Sequence, residues 1–171
     1  MNDKFKNKNI LFCALDGTLI ETISGERFPK GIWDMKLKLD VLDAIKKLKP
    51  EFVLIASNQS GIASGLLDGQ KFTTKLLYII SVIGEYCGCE CYAIYCDTDN
   101  KSDPYYKPNT KMLEALLEDH VGYDFDCFKH EMLMIGDESG IDGQFSDIDK
   151  KTAENFDIDY MDVNDFVNTL L

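Results

Sequence analysis

Five short runs rich in apolar and β-branched residues, at 9–14, 52–56, 91–95, 132–135 and 157–160, recur along the 171-residue chain. Each is about as long as a strand buried on both faces. Between them the period changes. Leu37, Val41, Ile45 and Leu48 recur at helical spacing, as do Phe72, Leu76, Ile79, Ile80 and Ile83, and then Met112, Leu116 and Leu117, which lays an apolar stripe along each helix. Strands alternating with helices pair in parallel through crossovers. The expected architecture is therefore an α/β three-layer sandwich, Rossmann-like, around a mostly parallel sheet of about five strands. With 45% hydrophobic residues the chain can fill one such core, and residues 1–171 are expected to form a single domain.

Sheets of this kind bind ligands beyond the carboxyl ends of their strands. Asp16 follows the first run, Ser57 and Asn58 the second, and Gly136 and Asp137 the fourth, while Lys107 sits in the turn-rich segment 97–108 after the third. All are expected to meet at one edge. Their chemistry is that of phosphoryl transfer. Asp16 can act as general acid and base. Gly17 lets the chain leave the strand, and Thr18 adds a hydroxyl. Ser57 and the Asn58 amide can donate to phosphoryl oxygens, and Lys107 is a fixed positive charge. Asp137, with Glu138 beside it, offers the hard oxygen that magnesium takes. Singly, Leu15-Asp16-Gly17-Thr18 and Gly136-Asp137-Glu138-Ser139 are ordinary turn sequences, and Ser57-Asn58-Gln59 is an ordinary helix lead-in. Their order and shared placement carry the argument.

With those residues in place, the chain resembles the haloacid dehalogenase (HAD) phosphatases over nearly its whole length. More narrowly, it resembles the 3'-phosphatase domain of polynucleotide kinase/phosphatase enzymes. After Asp16-Gly17-Thr18-Leu19-Ile20 come Ser24-Gly25, Phe28-Pro29, Gly31 and Asp34. Ser57-Asn58-Gln59, Gly61-Ile62, Gly65, Phe72 and Lys75 keep similar spacing, as do Asp103-Pro104-Tyr105-Tyr106-Lys107-Pro108 and Met112, with Tyr106 where a basic residue is usual. Gly136-Asp137 leads to Phe145-Ser146, Asp149 and Ala153. The resemblance implies the HAD fold without a large cap, and an open site that suits a polymer end. It implies a magnesium-dependent 3'-phosphatase for DNA or RNA ends, working through a phospho-aspartyl intermediate. In that scheme Ser57, Asn58, Gln59 and Lys107 bind substrate, and magnesium is held by the first acid of the motif, the Asp16 carbonyl and Asp137, with Glu138 alongside.

Ala14 stands where that family places its nucleophilic aspartate. The chain is thus expected to hold a 3'-phosphate end without cleaving it. An engineered Asp-to-Ala change and a natural pseudophosphatase both give this pattern; the retention of Asp16, Lys107 and Asp137 favours the first. No Gly-x-x-x-x-Gly-Lys-Ser/Thr is present, so a stand-alone phosphatase domain with a separate kinase or ligase partner is expected. The rival reading is a small-molecule HAD phosphatase of the histidinol phosphate or heptose bisphosphate type. Those relatives often carry a zinc loop of cysteines and histidine before the lysine motif, where Cys96 stands alone.

A net charge of −12 excludes general electrostatic coating of nucleic acid or anionic membrane. Lys4, Lys6, Lys8, Lys36, Lys38, Lys46, Lys47 and Lys49 fall in the first half and leave one face able to meet phosphate. No stretch approaches a membrane span and the N-terminus lacks a signal-peptide core, so a cytoplasmic protein with no membrane partner is expected. The six cysteines are expected to be reduced. Cys87, Cys89 and Cys91 alternate so that thiols could reach one zinc, but a helix-to-strand turn is favoured over a metal site. His120 and His130 are expected at loops or helix ends. Trp33, Tyr105 and Tyr106 are candidates for base stacking at the mouth, with core packing as the alternative.

Overall fold

Every residue of β1 (Ile10–Cys13) is buried, as expected of a strand covered on both faces and paired on both edges. The computed structural model describes residues 5, 7–26, 29–122 and 125–171, the side chains of 125 and 126 excepted; Lys4, Lys6 and Phe28 lie outside them. β1 pairs in parallel with β4 (Phe52–Asn58) on one side and β6 (Met132–Gly136) on the other. β5 (Glu90–Cys96) pairs with β4, and β7 (Asp159–Asp162) with β6, giving the order β5-β4-β1-β6-β7. All five are parallel.

Alternation along β1 sorts the core. Leu11 and Cys13 join a cluster with residues of α1 (Leu39–Leu48), α3 (Gly69–Cys87) and α6 (Val163–Leu170), including Leu42, Phe72, Ile79 and Phe166. Ile10 and Phe12 face the opposite cluster, built with α4 (Lys111–His120) and α5 (Ile148–Phe156) through Met112, Leu116, Ala153 and Phe156. The result is a three-layer α/β sandwich. Each large apolar side chain so buried contributes roughly 1.5–3 kcal/mol.

Local signals set the helix ends. The Asp68 carboxylate accepts from the Lys71 N–H to start α3, and Gly88 closes it in the left-handed region, where a residue without Cβ is least strained. Among the described residues between β1 and α1 the regular structure is a small antiparallel hairpin, β2 (Ile20–Glu21) with β3 (Lys36–Leu37), and the 25-residue connection holds no large cap domain. A four-residue α2 (Ser60–Ala63) follows β4. At the opposite edge the buried Lys8 ammonium donates to the carbonyls of His130 and Met132 and to Asp159, at 2.7, 2.9 and 2.6 Å. This ties the lead into β1 to β6 and β7. Among the described residues no helix is long and apolar enough to cross a membrane.

Candidate active site

The carboxyl ends of β1, β4 and β6 carry the predicted residues to one crevice. Ala14 directly follows β1 and is buried, its N–H donating to the Ile135 carbonyl at 3.1 Å. The chain then turns sharply. The Leu15 carbonyl accepts from the N–H groups of Leu19 and Ile20 at 2.9 and 3.1 Å, which leaves Asp16 exposed above a buried Leu15. Gly17 adopts φ +77°, and a Cβ there would lie 2.1 Å from Asp137 Oδ2. The missing side chain is thus the space that the Asp137 carboxylate fills. Thr18 Oγ1 donates to Asp137 Oδ1 at 2.9 Å, and Lys38 donates to the Gly17 carbonyl at 2.9 Å from the hairpin side.

This close approach predicts unequal costs at two glycines. Gly25 has φ +74° with nothing within 4 Å of its absent Cβ, so Gly25→Ala meets only the backbone penalty, about 1 kcal/mol. Gly17→Ala adds a collision with a carboxylate and should destabilise by about 1–3 kcal/mol more. Urea denaturation of both variants checks this; equal losses would show that Asp137 moves freely.

The second strand delivers Ser57, buried, and Asn58. Asn58 does not point its amide at the crevice as the sequence suggested. Its Nδ2 donates to the Lys107 carbonyl at 3.1 Å and its Oδ1 accepts from the Lys107 N–H at 2.9 Å, so it fastens the loop that carries Lys107. Gln59, expected to meet substrate, instead donates from Nε2 to Asp16 Oδ2 at 2.7 Å and to Ser57 Oγ at 2.8 Å. It orients the proposed acid and base.

Lys107 enters the interior. Its Nζ lies 2.6 Å from Asp149 Oδ1, with both side chains almost wholly buried. Asp149, in the first turn of α5, was visible only as a spacing match, without a role. Its approach explains Gly136: a Cβ there would sit 2.4 Å from Asp149 Oδ2. Tyr160 on β7 donates to the Gly136 carbonyl at 3.0 Å, and Ser139 Oγ and Gln144 Nε2 donate to Asp162, each at 2.6 Å. This network braces the segment after β6; nothing in the local sequence signalled it.

Asp137 and Glu138 are each held above the usual carboxylate range, by burial first and by the Asp149 charge second. Among the described residues no three His, Cys, Asp or Glu side chains are placed to hold one ion. Magnesium asks for less, since it binds through one or two carboxylates and keeps several waters. Asp137, packed against Gly17 next to the Asp16 carbonyl, fits that mode.

The remaining candidates lie apart. Cys87 ends α3, Cys89 lies in the turn and Cys91 is the second residue of β5, and none of the six cysteines forms a disulfide. His120 stacks on Tyr92 at 3.7 Å between centroids, and His130 is exposed 3.8 Å from Glu131. Trp33 is 53% exposed and meets Tyr78 edge to face at 6.0 Å. Tyr105 is at the surface, whereas Tyr106 packs against the core beside α4.

Comparison with known proteins matches residues 9–166 to the family described as polynucleotide kinase 3 phosphatase. The bifunctional polynucleotide phosphatase/kinase of Schizosaccharomyces pombe is 30% identical over 159 residues, covering 91% of this chain and 36% of that protein. The histidine biosynthesis bifunctional protein HisB of Campylobacter jejuni is 28% identical over 136 residues, covering 77% of this chain and 37% of its own length. The chain thus spans little more than a third of either curated relative. The fold is similar to that of D,D-heptose 1,7-bisphosphate phosphatase from B. bronchiseptica, solved with magnesium and phosphate (TM-score 0.63, 18% identity, 86% of this chain and 75% of that one).

Proposed function

The chain belongs to the polynucleotide kinase 3 phosphatase family, and from that premise we propose that its crevice is a magnesium-dependent phosphomonoester site for the 3'-phosphate of a DNA or RNA end, with Ala14 in the nucleophile's place. One observation carries the reading: Asp16, the Thr18–Asp137 pair, Ser57 and the Lys107–Asp149 pair converge on one strand edge without a large cap between β1 and α1.

Asp16 stands clear of the β1 end, oriented by Gln59, where its carboxyl can give a proton to a leaving ester oxygen and later take one from water. Ser57, tied to the same Gln59 amide, is available to phosphoryl oxygens. Lys107 supplies positive charge from a fixed position, held by Asp149 from within and by Asn58 along its backbone. Asp137, with the Asp16 carbonyl and Glu138, would hold magnesium, which when bound neutralises phosphoryl charge. Ala14 offers no atom to attack phosphorus. The rest of the crevice remains suited to hold the ester, which favours an introduced Asp-to-Ala change; an aspartate codon at position 14 of the gene would establish it.

A small-molecule substrate is the competing reading, favoured by the similarity to HisB. The Ala14→Asp protein with magnesium is expected to release phosphate from a 3'-phosphorylated oligonucleotide faster than from histidinol phosphate or heptose bisphosphate. Turnover of the small substrates alone would reverse the assignment.

A further inference from the structure

The turn from α3 into β5 holds two thiols that the crevice does not use. Cys87 ends α3, Gly88 reverses the chain at φ 71° and ψ 44°, and Cys89 leads into β5. The N–H groups of Gly88 and Cys89 both donate to the Gly84 carbonyl, at 2.9 and 3.2 Å, which fixes the turn. A residue with helical dihedral angles, of either hand, sets the Cα atoms of its two neighbours about 5.4 Å apart, well inside the span of a disulfide. Cys87 is buried, and its S–H has two acceptors in reach, the Cys89 sulfur and the Leu42 carbonyl at 3.6 Å. Cys89 is half-buried. The other nearby thiols are placed less well. Between Cys89 and Cys91 the chain is already becoming a strand, which sets Cα atoms two residues apart at about 6.6 Å, the far end of the disulfide span. Cys13 is on β1, with β4 between it and β5, and two strand spacings come to roughly 9.5 Å. The pair is also unequal: the S–H that Cys87 offers holds the Cys89 thiol below its usual range, and the same bond, with burial, pushes Cys87 up.

We propose that Cys87 and Cys89 are a reversible dithiol–disulfide pair, a modification site at the α3–β5 joint that a low-molecular-weight disulfide oxidises. The chemistry is thiol–disulfide exchange. Cys89, the more accessible thiol, gives its proton to solvent and attacks one sulfur of glutathione disulfide; the S–S bond of the oxidant breaks, a mixed disulfide forms on Cys89 and one glutathione thiolate leaves, to be protonated by solvent. Cys87 then gives up its proton and displaces the second glutathione from Cys89. Two electrons pass from the protein thiols to the oxidant, and two glutathione thiols are released. The second step is helped by the first, because the Cys89 charge that opposed ionisation of Cys87 is gone once Cys89 is in the mixed disulfide. The pair sits where β5 begins, at the edge of the sheet opposite the crevice, so its oxidation is separate from phosphate chemistry.

The test equilibrates the full, folded chain in glutathione buffers of rising oxidised fraction, quenches with acid, alkylates the remaining thiols and reads intact mass. Every sample carries Cys127→Ser, which removes the exposed thiol. The chain is expected to lose two alkylatable thiols and to keep no glutathione, and a dithiol reductant should restore both. Cys87→Ala should stop at one glutathione held on Cys89, Cys89→Ala should lose closure and hold none, and Cys91→Ala should close as its parent does. Should Cys87→Ala not fold, Cys89→Ala, altered in the turn, decides alone. A folded chain that keeps both thiols in the most oxidised buffer would overturn the proposal, as would closure that survives Cys89→Ala or is lost in Cys91→Ala.

Discussion

Ala14→Asp is expected to raise 3'-phosphate hydrolysis by on the order of 10⁴-fold or more, since loss of a nucleophile removes a whole covalent pathway, not one stabilising contact. The position is ready for the change. Its backbone is fixed by the bond to Ile135, and Asp16 lies two residues on, already oriented by Gln59. A carboxylate placed there joins Asp16, Asp137, Glu138 and Asp149, and two of those acids are already disfavoured as anions by burial. The variant should therefore melt below the Ala14 chain when magnesium is absent and recover when it is added. Phosphate release from a 3'-phosphorylated oligonucleotide, with and without a chelator, measures the first effect; thermal denaturation measures the second. A folded variant that releases no phosphate with magnesium present would refute the assignment of position 14.

Lys107→Ala is expected to destabilise the fold by about 3–5 kcal/mol, the usual result when one member of a buried ion pair is removed and the other is stranded. Asp149 is almost wholly buried and packed against the space above Gly136, so it cannot swing out to water. For a domain of this size the loss corresponds to a Tm lower by roughly 10 °C. Combining Lys107→Met with Asp149→Asn removes both charges and should return most of the stability. It should not return affinity for inorganic phosphate, because the fixed cation is still missing. Recovery of both together would reduce the pair to a structural role; a Lys107→Ala protein as stable as its parent would show that water reaches Asp149.

How legible the chain was varies with what each residue does. The five runs all contribute to strands, with β1 and β6 buried throughout and β5 and β7, at the sheet edges, only partly buried. Their ends depended on neighbours. β4 runs to Asn58 because β5 pairs with it as far as Cys96. β7 begins at Asp159, not 157, because Asp157 takes the left-handed position that closes α5. The β2–β3 hairpin, two residues a side, has no period to read. In the crevice, order and spacing placed Asp16, Ser57 and Asp137 at one strand edge, whereas the partners each side chain meets were not legible. Asn58 and Gln59 were seen as donors, yet what they donate to follows from tertiary contact.

The central place of β1 also sets when the crevice can exist during synthesis. Its first neighbour, β4, arrives within the N-terminal half, but its second edge waits for β6, from Met132 onward. Asp149 and the Lys8 partner Asp159 come later still. Contacts of such sequence separation form late and slowly. A nascent chain on the ribosome therefore leaves β1 half-paired until Met132–Gly136 has emerged.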